Sequence, residues 1–197
     1  LNYERLVYKY PRLINTLSNP YFFSLYLQLF DHKEFISESD ILTHYLEKKV
    51  LKGIFREEKI KLIKSFIEIT QLGGIPEQIP ANNLQYLIDE NPEAYSELLA
   101  LGIFVEHEPA EKYFTHEKLI KFNSKDLFEF IVSAYWLREL KLDSSLIHAV
   151  LHFYRNYPER QEGILKWMIC FLFKEEKIEV LKNLYSLLNN ELGNTKD

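Results

Sequence analysis

The stretch LIKFNSKDLFEFIVSAYWLREL, Leu119–Leu140, changes its period in the middle. Leu119 to Phe122 alternates as a short strand does. After Asn123-Ser124, the residues Leu127, Phe130, Ile131, Ala134 and Leu137 recur at helical spacing, with Phe128, Val132 and Tyr135 beside them. A strand therefore runs straight into a helix that is apolar around most of its girth. Such a helix must be covered from several sides. It reads as a central pin between the elements on either side of it in the chain. These residues describe a helical protein and name no reaction.

Composition sets the outer bounds. A chain of 197 residues makes one domain or two small ones. At that size a fold buries roughly 70% of its unfolded surface and needs no covalent staples. Hydrophobic residues at 47% and aromatics at 15% indicate a packed core rather than disorder. One cysteine, Cys170, excludes an internal disulfide and suits a reducing, cytoplasmic setting. The opening Leu1–Tyr10 is amphipathic and charged rather than a signal peptide, and reads as the middle of something larger. The run Trp167–Phe173 is too short to span a bilayer, so no membrane partner is expected. The net charge of −5 is unevenly spread. From Ser65 to Glu111 there is no Lys or Arg, while nine acids occur: Glu68, Glu77, Asp89, Glu90, Glu93, Glu97, Glu106, Glu108 and Glu111.

Outward from the central stretch, the chain reads as a mainly α protein. Helices are expected over Tyr3–Thr16, from Pro20 onward, and over Ile41–Gly53 with Ser39-Asp40 as its cap. Another is expected over Glu57–Leu72, stopped by Gly73-Gly74. Ile75–Pro80, between two prolines, can be no more than an edge strand. Short helices are expected from Ala81 to Ile88 and from Asn91-Pro92 to Gly102. Then come a strand at Ile103–Glu106, a turn at Glu108–Glu111 and a second strand between Lys112 and Phe122. Helix, strand, helix, helix, hairpin is the winged-helix order. Beyond Asp143, three helices are expected over Ser144–Asn156, Pro158–Phe173 and Glu175–Asn190.

Two stretches carry a resemblance. Leu13–Phe30, LINTLSNPYFFSLYLQLF, pairs a Leu-rich helix with Asn-Pro and a second apolar helix. Phe122–Leu137, FNSKDLFEFIVSAYWL, contains Glu129-Phe130 and Ser133-Ala134 within its helix. Together with the turn LLALGIFV, Leu98–Val105, they resemble the helical lid and winged helix of NACHT-type STAND NTPases, a class of P-loop signal-transduction ATPases. The resemblance covers roughly residues 10–140. It implies a lid-like subdomain over 1–56, a winged-helix domain with a small β-hairpin over 57–142, and the start of a helical array over 143–197. It also implies nucleotide contacts at the lid proline, Pro20, and at the family's His position. That position falls on Ser124, a departure from His, or in a competing register on His116. The Ser124 register is the one that leads into Glu129-Phe130 and Ser133-Ala134.

No G-x-x-x-x-G-K-[ST] cradle is present in the sequence, nor a hydrophobic strand ending in acids to hold magnesium. The segment is therefore expected to be non-catalytic, with no cofactor of its own; ATP or ADP would belong to an ATPase core in a longer parent chain. The implied function is to couple nucleotide state to partner binding. Expected partners are protein, or the parent's own ATPase core, with self-association through the C-terminal helices. The alternatives are a winged-helix DNA-binding regulator and a free-standing helical interaction scaffold. DNA binding is not expected, because the helix that would enter the groove carries Glu93 and Glu97 and no base.

The remaining constellations favour plain structural readings. His148 and His152 are four apart on a helix, but the residue after the first is Ala149, and no third ligand lies nearby, so no metal site is expected. Cys170 reads as a buried, inert thiol. Lys48, Lys49, Lys52, Arg56, Lys59, Lys61 and Lys64 read as a solvated face, with Glu57–Lys61 at pairing distance. Ser124 can simply cap the helix that starts at Lys125.

Overall fold

The computed structural model describes residues 11–29, 37–73, 78–108, 118–139 and 158–193. It is mainly helical, with a small three-stranded antiparallel sheet. Two compact units divide between Ser124 and Lys125. Among the described residues no helix is long and apolar enough to cross a membrane. The first part of the expected Tyr3–Thr16 helix and the whole of Ser144–Asn156, with His148 and His152, lie outside the described residues, as does the boundary at 142.

The first unit opens with α1 (Pro11–Leu17) and α2 (Pro20–Leu29). Pro20 takes the first position of α2, where a missing N–H costs little, and the Asn19 side-chain oxygen accepts from the Tyr21 N–H at 2.9 Å. Helix α3 (Glu38–Leu46) is capped by Ser37 rather than by the expected Ser39-Asp40. The Ser37 hydroxyl accepts from the Asp40 N–H at 3.2 Å and donates to the Asp40 carboxylate at 2.7 Å. Ser39 is instead buried. Helix α3 runs on as a π-helical turn, Glu47–Leu51, which ends with Lys52 N–H bonded to Glu47 C=O at 2.8 Å.

Helix α4 (Arg56–Gly73) then lies over the sheet. Strand β1 (Gln78–Pro80) passes through a 3-10 turn into α5 (Gln85–Glu90), α6 (Pro92–Ala100), β2 (Phe104–His107) and β3 (Leu119–Phe122). Strand β3 lies between the other two, so β1 is the proline-bounded edge its sequence requires. Ile79 faces Ile120, and Phe104 faces Phe122. The side chains of Phe66, Phe104 and Phe122 meet with ring centroids 5.0–5.3 Å apart and form the core between α4 and the sheet. The hydroxyl of buried Tyr45 reaches the Leu101 carbonyl and ties α3 to the end of α6. Burial pushes that hydroxyl's pKa up to about 12.

The basic series is not the uniform solvated face that its spacing suggests. Lys59 is fully buried. Its ammonium donates to the Lys49 carbonyl at 2.8 Å and pairs with Glu97 at 3.2 Å. Lys61 pairs with Glu90 at 3.1 Å, and Glu57 with Arg56 at 3.6 Å, in place of the expected Glu57–Lys61 pair. Tertiary partners from α5 and α6 outcompete the local spacing.

The second unit comprises α7 (Lys125–Glu139), α8 (Pro158–Lys174) and α9 (Ile178–Gly193). Seven consecutive residues of α7, Leu127–Ser133, are buried, as an apolar girth demands. Phe130 packs against Trp167 and Phe171 of α8, with centroids 5.2 and 4.8 Å away. Cys170 is half-buried, less enclosed than expected, because it flanks the face that α8 turns to α7. Leu172 and Leu184 join α8 to α9.

The α8–α9 turn places Glu176 at φ 56°, a conformation that crowds Cβ. Two bonds close it, Glu176 N–H to Phe173 C=O at 3.2 Å and Lys177 N–H to Leu172 C=O at 2.9 Å. Glycine is the residue such a helix end favours. Glu176→Gly is expected to raise stability by about 0.5–1 kcal/mol. Urea denaturation checks it: a lower midpoint would mean the carboxylate makes a compensating contact.

Candidate functional site

Two of the positions singled out by resemblance lie within the described residues. Pro20 is exposed at the start of α2. Ser124 is half-buried where β3 passes into α7, the place for a helix cap. His116 lies outside the described residues.

The most unusual chemistry lies in the second unit, where α7 and α8 cross. Glu129 and Ser133 are four apart on α7, so they share one face. Both are buried within an otherwise apolar stretch. Opposite them on α8 are Arg160, Gly163 and Ile164. The Ser133 hydroxyl lies 2.6 Å from the Glu129 carbonyl and 2.9 Å from the Ile164 carbonyl, so it bridges the two helices. The Arg160 guanidinium donates to the Glu129 carboxylate at 3.3 Å, and Lys125 approaches the same oxygen at 3.6 Å. Gly163 faces that carboxylate directly: a Cβ there would lie 1.9 Å from Glu129 Oε2. A side chain at position 163 would displace the Glu129 carboxylate from this place.

The electrostatics follow from burial. Glu129 is 2% exposed. Desolvation pushes its carboxyl up to about 7, against the pull of Lys125 and with the repulsion of Asp126. Desolvation also lowers Arg160. Both ends of the pair resist being charged here, so the pair fixes register and orientation more than it stabilises. A carboxyl near neutrality can serve as an acid or base only where substrate reaches it. Glu129 is enclosed by protein, between Lys125 of its own helix and Arg160 of α8.

A second cluster lies on the sheet. The Tyr95 hydroxyl of α6 donates to Glu106 of β2 at 2.7 Å, and Lys118 donates to the other carboxylate oxygen at 3.0 Å. Burial and the Glu106 carboxylate raise the Tyr95 pKa, while the Tyr95 hydrogen bond and Lys118 lower that of Glu106. This acid is therefore held ionised and internally matched. Among the described residues no group of three or more His, Cys, Asp and Glu side chains is placed to hold a metal ion.

Glu129 and Ser133 stand out in the sequence through their place in a motif. Arg160 and Gly163 do not, and reading from sequence missed them. The available signal was a polar pair at i, i+4 inside an apolar girth, which requires a polar partner across the interface. Compared with known proteins, the chain matches no family model, no curated protein and no solved structure.

The Glu129 environment has a pH signature. With its carboxyl near 7 in the native state and near 4.5 unfolded, the native chain holds a proton that the unfolded chain has released between those values. The contribution of this group to stability is then greatest below about 4.5 and falls as pH rises through about 7, by an amount on the order of 1–3 kcal/mol. Glu129→Gln keeps the shape and removes the titration. Its stability relative to the natural chain is expected to improve from pH 5 to pH 8 in paired denaturation curves. A variant that loses ground over that range would show the Arg160 attraction outweighing desolvation.

Proposed function

We propose that the chain is a non-catalytic regulatory segment of a STAND-type, NACHT-like signal-transduction NTPase. Its task is to couple the nucleotide state of an ATPase core to partner binding in the cytoplasm. The observation that carries this reading is the order α4, β1, α5, α6, β2, β3 with β3 in the middle of the sheet. That order suits a winged helix, and α7 leaves it directly, in keeping with the resemblance carried by Phe122–Leu137. The helix pair α1–α2, joined through Asn19-Pro20, suits the lid that precedes it.

The DNA-binding alternative has the wrong surface. In a winged helix the helix before the hairpin enters the major groove. Here that helix is α6, where Glu93 is exposed, Glu97 is engaged by Lys59, and Tyr95 is turned inward to Glu106. Cations on phosphates supply nearly all non-specific affinity for DNA, and α6 has none. The scaffold alternative draws on exposed Ile169, Phe173, Ile178 and Tyr185 of α8 and α9, apolar groups suited to a protein partner.

Titration calorimetry with ATP and ADP tests the reading. The expected result is no micromolar affinity, the level that corresponds to about −8 kcal/mol. A gel-shift series on duplex DNA is expected to show no salt-sensitive complex. Micromolar nucleotide binding, or a DNA complex abolished by substitutions in α6, would overturn it.

A further inference from the structure

The link from the π-helical turn after α3 to the start of α4 is Lys52-Gly53-Ile54-Phe55. It begins where the Lys52 N–H closes that turn on the Glu47 carbonyl at 2.8 Å. It ends at Phe55, whose carbonyl already accepts from the Lys59 N–H of α4 at 2.9 Å. Gly53 turns inward: a Cβ there would stand 2.7 Å from the Lys49 carbonyl oxygen and 2.9 Å from the Lys59 nitrogen. The other three are exposed, Ile54 by 71% and Phe55 by 39%. Phe55 sits at φ 54°, where Cβ is crowded and glycine is the favoured residue. The base of the link is fixed by the fully buried Lys59 ammonium, which donates to the Lys49 carbonyl and pairs with Glu97. A tight, anchored turn that needs only small polar residues thus carries an Ile and a Phe in water.

Cations flank this apolar pair directly. Lys52 precedes it and Arg56 follows it, and both are exposed. From Lys48 to Arg56 the chain carries Lys48, Lys49, Lys52 and Arg56 and no acid. The acids next to this run are Glu47 and Glu58, both half-buried, and Glu57. Glu57 lies 3.6 Å from Arg56 in a pair whose side chains are 57% and 77% exposed, and so weakly held. The size of the tip narrows the choice of partner. Two side chains are far short of the about 800 Å² that each partner gives to a stable protein interface. A lipid surface instead closes around every side chain that enters it, so a two-residue tip is buried completely there. Lysine and arginine stems beside such a tip lie along the apolar zone with their charged heads among the phosphates.

We propose that the Ile54-Phe55 tip docks the first unit on an anionic phospholipid surface, with the two apolar side chains inserted and Lys52 and Arg56 at the headgroup phosphates. Apolar insertion and cationic attraction each give only marginal binding, and together they give a reversible contact. The contact weakens as salt screens the cations. Glu57 works against it, since an exposed carboxylate is brought toward like charge. Surface docking of this kind involves no spanning helix. The inference does not rest on the proposed function, and it uses a surface other than the C-terminal helices.

Cosedimentation of the full chain with phosphatidylcholine vesicles, with and without roughly 30% phosphatidylserine, tests it at about 0.1 M and about 0.5 M salt. Binding is expected to the phosphatidylserine vesicles at the lower salt, and to be at least fivefold weaker at the higher salt or on phosphatidylcholine alone. Ile54→Glu and Lys52→Glu, both at exposed positions, should each weaken it at least fivefold with unchanged far-UV circular dichroism. Phe55→Gly frees the strained backbone, so the fold is kept while binding weakens. Glu57→Gln should tighten binding. A chain that stays in the supernatant overturns the proposal, as does binding that ignores phosphatidylserine. Binding untouched by Ile54→Glu but lost on Phe173→Glu of α8 overturns it too and moves the contact to the second unit. A chain that leaves vesicles alone but forms a dimer sensitive to Ile54→Glu overturns it and assigns the tip to a second copy.

Discussion

In the second unit a buried carboxylate of α7 fills the space over a glycine of α8. Glu129 occupies the space that any side chain at position 163 would fill. Ser133, one turn on, then reaches the Ile164 carbonyl, and Phe130 between them meets Trp167 and Phe171. A buried polar pair of this kind contributes little net energy, because desolvation offsets the attraction. Its effect is on choice of register. If α8 slid by one turn along α7, Glu129 would lose Arg160, meet a side chain, and be left as a buried polar group without that partner. The apolar contacts alone would tolerate that slide far better.

The first unit uses the same device at another joint. Lys59 is buried at the base of the α3–α4 link, with a backbone carbonyl and Glu97 as its partners and Gly53 packed over it. In both places a long charged side chain crosses between elements, and a glycine permits the approach. The aromatic core of Phe66, Phe104 and Phe122 supplies the bulk of the burial around β3. Buried Lys59 links α4 to the turn after α3 and to α6. Local pairing also tempers the acidity of this unit, since Glu97 is matched by buried Lys59 and Glu106 by exposed Lys118.

Much of the element order was legible. Helix α4, the proline-bounded edge strand, α6 and the strand-to-helix change at Asn123-Ser124 follow from period, proline and glycine. These signals act within a few residues, so a linear reading captures them. The apolar girth of Leu127–Val132 also announced its burial. Less was legible at the sites. Ser37 and Ser39 are equivalent as caps by residue type, and only the chain path selects Ser37. Lys59 sits in a run of lysines with identical local character, yet it alone is buried, because its position on α4 points at α6 rather than at water.

Sequence by itself therefore determined which segments are helices and strands, the mainly helical class, the absence of a phosphate cradle in this chain, and the acidic character of the stretch from Ser65 to Glu111. Each of these depends on residue type and near-neighbour spacing. Only the tertiary structure decided that Glu129 meets Arg160 across 31 residues, that Gly163 is needed for that meeting, and that Lys61 chooses Glu90 over Glu57. It alone left Ile54 and Phe55 exposed in the link between α3 and α4. Electrostatic and steric contacts act through space, and their strength depends on burial, which no local pattern encodes.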